Sequence, residues 1–395
     1  MADAKRIMFL SSCVRGGGAG WSMYYLLKHL DRDEIDPFVV VPDRGIFDQR
    51  FDELGLHVQT PKWLPHRVRQ LRFDQDTKLT QGASIAINLA RMARLVPELA
   101  HMIRRERIEL VYANNMMVKP LGALAAQLSG VPCVLHVRNI HEAPAAVRFY
   151  GAVAKLPSVK RIISNSTASA VPYRLAADDK VVVVYNGVDL SEYDTSQLSL
   201  GAFRREHGLE GKTVVGYTGN LIPRKGLEPL VRAAAQLLPS RPELVFVALG
   251  RTPVGQAEDW GAKYQALAAE LGIADRFLFP GFVSDVRSAV ADFDVLALPS
   301  LQEPFGRSII EAMALSVPVV ASDVGGIPEI ITDGRDGLLA APGDVDDLAR
   351  ALTRIVDDTS LRARIAKAGR ARVEDAFDVA KLTERMQQLL LDAAA

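Results

Sequence analysis

The chain has 395 residues, with 47 Lys/Arg against 47 Asp/Glu, so its formal net charge is zero, and 49% of it is hydrophobic. Such a length exceeds one compact core and predicts about two domains, while no apolar run approaches the ~20 residues that would cross a bilayer, which excludes an integral membrane segment. The balanced composition is that of a globular protein with no nucleic-acid partner, and the two cysteines, Cys13 and Cys133, sit at the edges of apolar runs where buried thiols are commoner than a bridge or a catalytic pair.

The opening stretch, Met1 to Val14, carries a short apolar core and runs straight into a glycine-rich turn, so it reads as a first strand and not a signal peptide, and a cytoplasmic location is expected. Apolar, β-rich runs then alternate with helical patterns: Arg6 to Ser11, Phe38 to Val41, Leu110 to Tyr112, Val131 to His136, Arg161 to Ser164 and Val181 to Tyr185. That rhythm predicts a parallel sheet with crossover helices. After a polar stretch, Ser191 to Ser199, it restarts with Thr213 to Tyr217, Glu243 to Ala248, Phe277 to Phe279, Val295 to Leu298, Val317 to Ala321 and Gly337 to Ala340. The expected organisation is a Rossmann-like domain over 1–195, a second over 196–375, and an amphipathic C-terminal helix over 376–395 that packs back toward the first. Doubly wound sheets bind ligands at the carboxyl ends of their strands, and there the functional residues are sought.

Behind the first strand lie Gly16, Gly17, Gly18, Ala19 and Gly20, with a helix expected from near Trp21; a turn of this kind lets backbone amides approach a phosphate closely. A dinucleotide-binding reading fails because the third glycine of G-x-G-x-x-G falls on Trp21. The restart of the sheet leads into Gly219 to Gly226, whose adjacent cations Arg224 and Lys225 suit a diphosphate or, equally, a solvated loop. The most informative segment is Pro299 to Ala314. A strand ends at Pro299, a turn spans Pro304 to Gly306, and a helix begins near Arg307, so amides at its start face a ligand at the strand ends. Glu303 in the turn and Glu311 on the helix lie up to ~12 Å apart along its axis, a spacing that lets two carboxylates hold hydroxyls at the two ends of a sugar nucleotide. His136, at the end of an apolar run, and Arg138 are placed for substrate contact. Asp292-Phe293-Asp294 looks like a metal-binding pair but precedes a buried strand and reads as structural; no metal site is expected.

These segments resemble family 4 of the retaining glycosyltransferases, which have the GT-B fold of two doubly wound domains facing each other across a cleft. Glu303-Pro304-Phe305-Gly306 with Glu311 matches its Glu-x7-Glu motif, and Asn186-Gly187-Val188-Asp189, Arg224-Lys225-Gly226, Pro318 to Gly326 and Asp333 to Gly337 resemble further family segments. The resemblance implies transfer of a hexosyl group from a nucleoside-diphosphate sugar, UDP-sugars first, to a glycan, lipid-linked or small-molecule acceptor, with no cofactor beyond that co-substrate. It also implies roles. Glu303, Lys225 and His136 would be catalytic. Lys225 would bind the diphosphate, Glu303 the donor sugar, and Glu311 the ribose. Amides around Phe305, Gly306, Arg307 and Ser308 would meet sugar and phosphate, the base would lie against Gly281, Phe282 and Val283, and Gly17 and Gly18 would approach from the other lobe. Asn220 stands where the family usually has Arg, leaving Arg224 as the candidate second diphosphate cation, and Gly20 replaces the family's usual Glu. A sugar-nucleotide 2-epimerase of the same fold and a non-catalytic donor-binding subunit are the rival readings.

Residues 1–195 hold 25 Lys/Arg against 20 Asp/Glu and the remainder 22 against 27, so the halves differ in sign, about +5 and −5. Lys62, Arg67, Arg69 and Arg72, with Trp63 and Leu64, and Arg91, Arg94, Arg104, Arg105 and Arg107 on a helical stretch, form a pattern suited to peripheral association with an anionic membrane as well as to a solvated basic face. No motif sets the oligomeric state or the acceptor.

Overall fold

The computed structural model describes residues 4–12, 17–62, 93–254 and 256–395. Two compact units result, one of residues 1–186 with 379–395 and one of residues 187–378. The first holds a seven-stranded parallel sheet of β1 (Lys5–Leu10), β2 (Ile35–Val40), β3 (His57–Gln59), β4 (Leu110–Ala113), β5 (Cys133–Val137), β6 (Val159–Ser164) and β7 (Val181–Val183), in the order β3-β2-β1-β4-β5-β6-β7. The second holds six parallel strands, β8 (Thr213–Thr218), β9 (Leu244–Leu249), β10 (Phe277–Gly281), β11 (Val295–Leu298), β12 (Val319–Ser322) and β13 (Leu338–Ala340), in the order β10-β9-β8-β11-β12-β13. Both orders reverse direction once, between β1 and β4 and between β8 and β11, and these reversals open the crevices in which doubly wound sheets bind ligands. The expected α/β class and its two Rossmann-like sheets are therefore present.

Strand alternation builds the core of the first unit. Met8, Leu10, Val111 and Leu135 pack into one apolar layer, while Ile7, Phe9, Tyr112 and Val134 point into the other, so the sheet is buried on both faces. The C-terminal helix Val379–Ala394 belongs to this unit and covers the second layer with Met386 and Leu390. β3 was not legible in the sequence: it is a three-residue edge strand, His57-Val58-Gln59, too short to show a period. The helix after the glycine-rich turn runs Gly18–His29, three residues earlier than the apolar pattern predicts, and Gly17 precedes it at φ 95°, a conformation glycine adopts without strain.

In the second unit, Gly216 in β8 is dictated by packing: a Cβ there would fall 2.0 Å from the ring of Phe293. The polar stretch 191–199 belongs to this unit, and its approach is fixed by the Val188 amide donating to the Phe377 carbonyl at 2.9 Å. Residues Trp63, Leu64, Arg67, Arg69, Arg72 and Arg91 of the basic pattern lie outside the described residues. Arg94, Arg104, Arg105 and Arg107 are described and exposed, the first three within helical residues 93–105.

Candidate active site

In the second unit the site grows from three loops that leave the carboxyl ends of β8, β9 and β11. Gly219, Gly250 and Gly281 end β8, β9 and β10 side by side: the Gly219 amide donates to the Leu249 carbonyl at 3.0 Å and the Gly250 amide to the Gly281 carbonyl at 2.9 Å. A Cβ on Gly250 would sit 1.9 Å from the Gly219 carbonyl oxygen, so the strand ends pack as bare backbone. The β8 loop then turns through Pro223–Lys225 to Gly226, which has φ 68° and whose Cβ would fall 1.7 Å from the Pro299 carbonyl oxygen. That close approach is completed by the Leu301 and Gln302 amides donating to the Arg224 carbonyl at 2.9 and 3.2 Å.

The clamp brings Lys225 to Glu303. The ammonium donates to Glu303 Oε2 at 2.5 Å, and the Ser300 hydroxyl donates to the same oxygen at 3.2 Å. Both side chains are largely buried, at 16% and 7% exposure, so the pair is held in a medium where charge matters. Glu303 is also anchored through its backbone, because its carbonyl accepts the Gly326 amide at 3.0 Å, which ties the Asp323 to Gly326 turn after β12 to the site. Next comes the helix Arg307–Ala314, entered through Gly306 at φ 110°. Phe305 turns its ring into the core against Phe377 at 5.9 Å, so only its backbone is available to a ligand. Glu311 is met by Arg307, whose Nη2 donates to it at 2.8 Å one turn earlier. Ser308, half-buried, shares that first turn.

Arg224 and Asn220 are exposed on the same loop. The Tyr217 hydroxyl donates to the Asn220 carbonyl at 2.9 Å, fixing its backbone and leaving the amide side chain outward. Gly281 has φ 83°, Phe282 is 69% exposed beneath the Arg251 guanidinium at 5.1 Å, and Val283 follows half-buried. The structure thus gathers Lys225 with Glu303 and Arg307 with Glu311 around adjoining strand ends, and sets Gly281, Phe282 and Val283 at the end of β10. Ser300 and Gly250 are absent from the sequence-derived site; a glycine immediately after β9, matching Gly219 after β8 and Gly281 at the end of β10, was the available signal.

Asp292 and Asp294 have other work. The Asp292 carboxylate accepts the amides of Gly201 and Phe203 at 2.7 and 3.1 Å, and Asp294 accepts from Arg204 and the Val214 amide at 2.7 Å each. They tie the helix Ala202–Glu206 to β8, and among the described residues no group of three His, Cys, Asp or Glu stands ready for a metal.

In the first unit, Gly17 and Gly18 are exposed at the helix entrance. Asn114 anchors the entrance by donating to the Ala19 carbonyl at 3.0 Å. His136 is 2% exposed at the end of β5, with its Nδ1 contacted by the Tyr112 hydroxyl and, at 3.2 Å, by Arg138 Nη2. A guanidinium only donates, so Nδ1 accepts and the ring proton sits on Nε2, a buried atom with no partner among the described residues. Burial, then the charges of Arg138 and Lys119, hold this imidazole well below its ordinary pKa and therefore neutral. Arg138 itself donates to Asn186 Oδ1 at 2.5 Å, and Ser22 donates to the same oxygen at 2.8 Å, which gives the Asn186 segment a role in fixing Arg138.

Comparison with known proteins agrees with both halves. Residues 16–192 match the family described as Glycosyltransferase Family 4, and residues 201–372 match Glycosyl transferases group 1. The chain is 29% identical to the 2-deoxystreptamine glucosyltransferase of Streptomyces kanamyceticus over 75% of this chain and 80% of that one. It is 35% identical to the D-inositol 3-phosphate glycosyltransferase of Streptomyces scabiei over 67% of this chain, spanning 64% of that relative's length. The structure of Anabaena HepE in complex with UDP-glucose superposes with a TM-score of 0.82 at 27% identity, covering 98% of this chain and 99% of that one. Sequence halves, sheet orders and whole-chain superposition converge, and the chain belongs to the family 4 glycosyltransferases with the GT-B fold.

Proposed function

We propose that the protein is a retaining, metal-independent hexosyltransferase that uses a nucleoside-diphosphate sugar, UDP-glucose or a close analogue, and glycosylates a hydroxyl of a small-molecule or glycan acceptor. The observation that carries this reading is the buried Lys225–Glu303 pair, 2.5 Å apart, close before the helix Arg307–Ala314. A diphosphate placed there would draw Lys225 toward its oxygens and leave Glu303 to accept from sugar hydroxyls; the helix-entrance amides add donors at the same point. Glu311 would take the ribose hydroxyls, releasing Arg307. Phe282, exposed and held by Arg251, offers a face for the base. Family 4 membership supports the donor class, as does HepE, whose structure holds UDP-glucose. Peripheral association with an anionic membrane through the exposed arginines of residues 94–107 belongs to the same proposal for acceptors that are lipid-linked.

In the chemical step the bond from the anomeric carbon to the β-phosphate oxygen breaks and a bond to the acceptor oxygen forms on the same face, while the acceptor proton passes to the departing phosphate. Lys225 and the amides stabilise the charge that develops on that leaving group. Glu303 positions the sugar, and the Nε2–H of neutral His136 donates to a substrate oxygen. No Asp or Glu is assigned as a nucleophile, the group that a double-displacement route requires.

The test is incubation with UDP-glucose and a panel of polyol and glycan acceptors, reading UDP release and the anomeric configuration of the product by NMR, with and without EDTA. An α-linked product formed equally in EDTA supports the proposal. A β-linked product, or loss in EDTA restored by Mn²⁺, overturns it; epimerised donor formed without acceptor assigns the 2-epimerase instead, and UDP binding with no turnover on any acceptor assigns a non-catalytic subunit.

A further inference from the structure

Lys119 is the one fully buried lysine among the described residues, and its surroundings are unusual for an ammonium. It opens the helix Lys119–Ser129 just after β4, has 0% exposure, donates to the Tyr173 hydroxyl at 2.8 Å, and lies over the rings of Tyr150 and Tyr173 at 5.2 and 5.0 Å. Among the described residues it has no carboxylate partner, although buried charges are ordinarily paired. Its charged neighbour is a second buried cation, Arg138, on the loop after β5.

Orphaned polar atoms collect at the same rim. Asn114 Oδ1 follows β4, His136 Nε2 ends β5, His141 Nε2 lies on the next loop, and Asn165 Oδ1 follows β6; each is buried without a hydrogen-bond partner among the described residues. An unsatisfied buried group costs about 1–3 kcal/mol, and native structures tolerate few of them away from ligand or water sites. Here they flank three adjacent strands of one sheet. The half-buried His141 ring, stacked on Tyr150 at 4.5 Å, forms the outer wall of the cluster, and the field of Lys119 reaches it.

We propose that this rim of β4, β5 and β6 is an oxyanion-binding acceptor subsite, in which Lys119 and Arg138 recognise a phosphate, sulfate or carboxylate group on a hydroxyl-rich acceptor and Asn114, His141 and Asn165 take its hydroxyls. The inference rests on the transferase reading given above, and it narrows the acceptor to an anionic one. Two cations with neutral hydrogen-bonding groups around them fit such a ligand and disfavour a cationic one.

Protonation sharpens the assignment. Burial first, then the charge of Arg138, lowers Lys119 to about 7. The titratable groups around it are Arg138, which stays charged; His136 and His141, both neutral near pH 7, the latter lowered to about 4 by burial; and Tyr150 and Tyr173, both pushed up by burial. Lys119 is therefore the group of this cluster that titrates between pH 6 and 8. An anion binds its charged form, so affinity falls as pH rises through that window, about tenfold from pH 6 to 8 for a full proton linkage.

The experiment titrates the intact protein, saturated with UDP, with sulfate, whose charge is constant over that range. Calorimetric binding of sulfate that weakens about tenfold from pH 6 to 8, and weakens tenfold or more in Lys119→Met, is the expected result. Glycerol 3-phosphate should bind and glycerol should not, and pelleting with phosphatidylglycerol vesicles separates a lipid headgroup from a soluble phosphate as the source. Lys119→Met that binds sulfate as wild type does, or UDP-saturated protein that binds no oxyanion, overturns the subsite. Failure of UDP itself to bind would instead count against the donor reading. Tyr173→Phe keeps the ammonium and removes its hydroxyl acceptor; retained sulfate binding there, with loss in Lys119→Met, separates anion recognition from a packing role.

Discussion

The two strand-end clusters solve opposite problems. In the second unit each carboxylate at the site already has a cation, Lys225 on Glu303 at 2.5 Å and Arg307 on Glu311 at 2.8 Å, so a ligand must exchange partners with both pairs. In the first unit, among the described residues, Lys119 is buried without a carboxylate, and Asn114, His136, His141 and Asn165 each leave a buried atom unsatisfied. The first arrangement is stable without ligand and discriminates by replacement; the second is strained without ligand and gains by being filled. Substitutions should therefore act differently on the two sides.

The largest effect should come from breaking the backbone clamp of the second unit. Gly226→Ala places a Cβ 1.7 Å from the Pro299 carbonyl at φ 68°, and backbone cannot yield as a side chain tip can. The left-handed conformation alone costs about 1–3 kcal/mol, the clash adds to it, and turnover of the nucleotide sugar should vanish. Gly272→Ala, with φ 70° and nothing within 4 Å, is the control: it should lose stability but keep turnover. Equal loss of activity in both would show that the clamp is no special feature.

Next is the buried pair. Lys225→Met leaves Glu303 as an uncompensated buried carboxylate, a change that costs about 3–5 kcal/mol in comparable settings, whereas Lys225→Met with Glu303→Leu should recover most of that stability. Turnover should fall by about 10²-fold or more in both, because the groups facing the leaving diphosphate and the sugar are gone. Denaturant midpoints alongside kcat for the single and double variants decide it; a double variant that regains turnover would remove the pair from the chemistry.

How much of this was legible in the sequence follows from the same contrast. The second unit announces itself because its site lies on short loops between strongly apolar strands: Glu303, Gly306 and Glu311 fall in one 9-residue stretch, and Arg224-Lys225 lie on the loop that follows β8. The clamp that unites the two stretches, with Arg224 bonded through its carbonyl and Gly226 against Pro299, joins residues about 75 apart and leaves no local trace. In the first unit Lys119, His141, Tyr150 and Tyr173 come from separate loops and helices, and each alone looks ordinary. Lys119 resembles a helix-start surface charge; only burial, which is tertiary, makes it exceptional. The anchoring of Asp292 and Asp294 by helix amides likewise needed coordinates, though their position before β11 already argued against a metal.

On the first unit, Lys119→Met should raise stability where a loss would ordinarily be expected. Replacing a buried ion by an apolar side chain of similar length is often neutral or stabilising by about 1–4 kcal/mol. The sign of the pH dependence is fixed: with a folded value of about 7 against an ordinary 10.5, the unfolded chain binds more protons across that interval, so wild-type stability rises with pH between about 7 and 10.5. Lys119→Met lacks that proton and should lose the slope. Urea midpoints at pH 7 and pH 9.5 measure it; a variant less stable than wild type at both would mean that the ammonium holds the fold together through Tyr173.

The smallest effect should come from the exposed half of the second site. Glu311 is 28% exposed and its bond to Arg307 is an i,i+4 pair at a helix start, a type worth only a few tenths of a kcal/mol, so Glu311→Gln should leave the melting temperature nearly unchanged. Affinity for the nucleotide sugar should respond more, because ribose hydroxyls would lose a charged acceptor worth about 1.5–3 kcal/mol, roughly ten- to a hundredfold in Kd. Arg307→Gln should do the reverse: freed of its competitor, Glu311 becomes more available, and the nucleotide sugar should bind as well as or better than in wild type. Calorimetry with UDP-glucose on both variants reads the difference. A weaker complex in Arg307→Gln would show that Arg307 is itself a ligand contact, and an unchanged one in Glu311→Gln would take the carboxylate out of the site altogether.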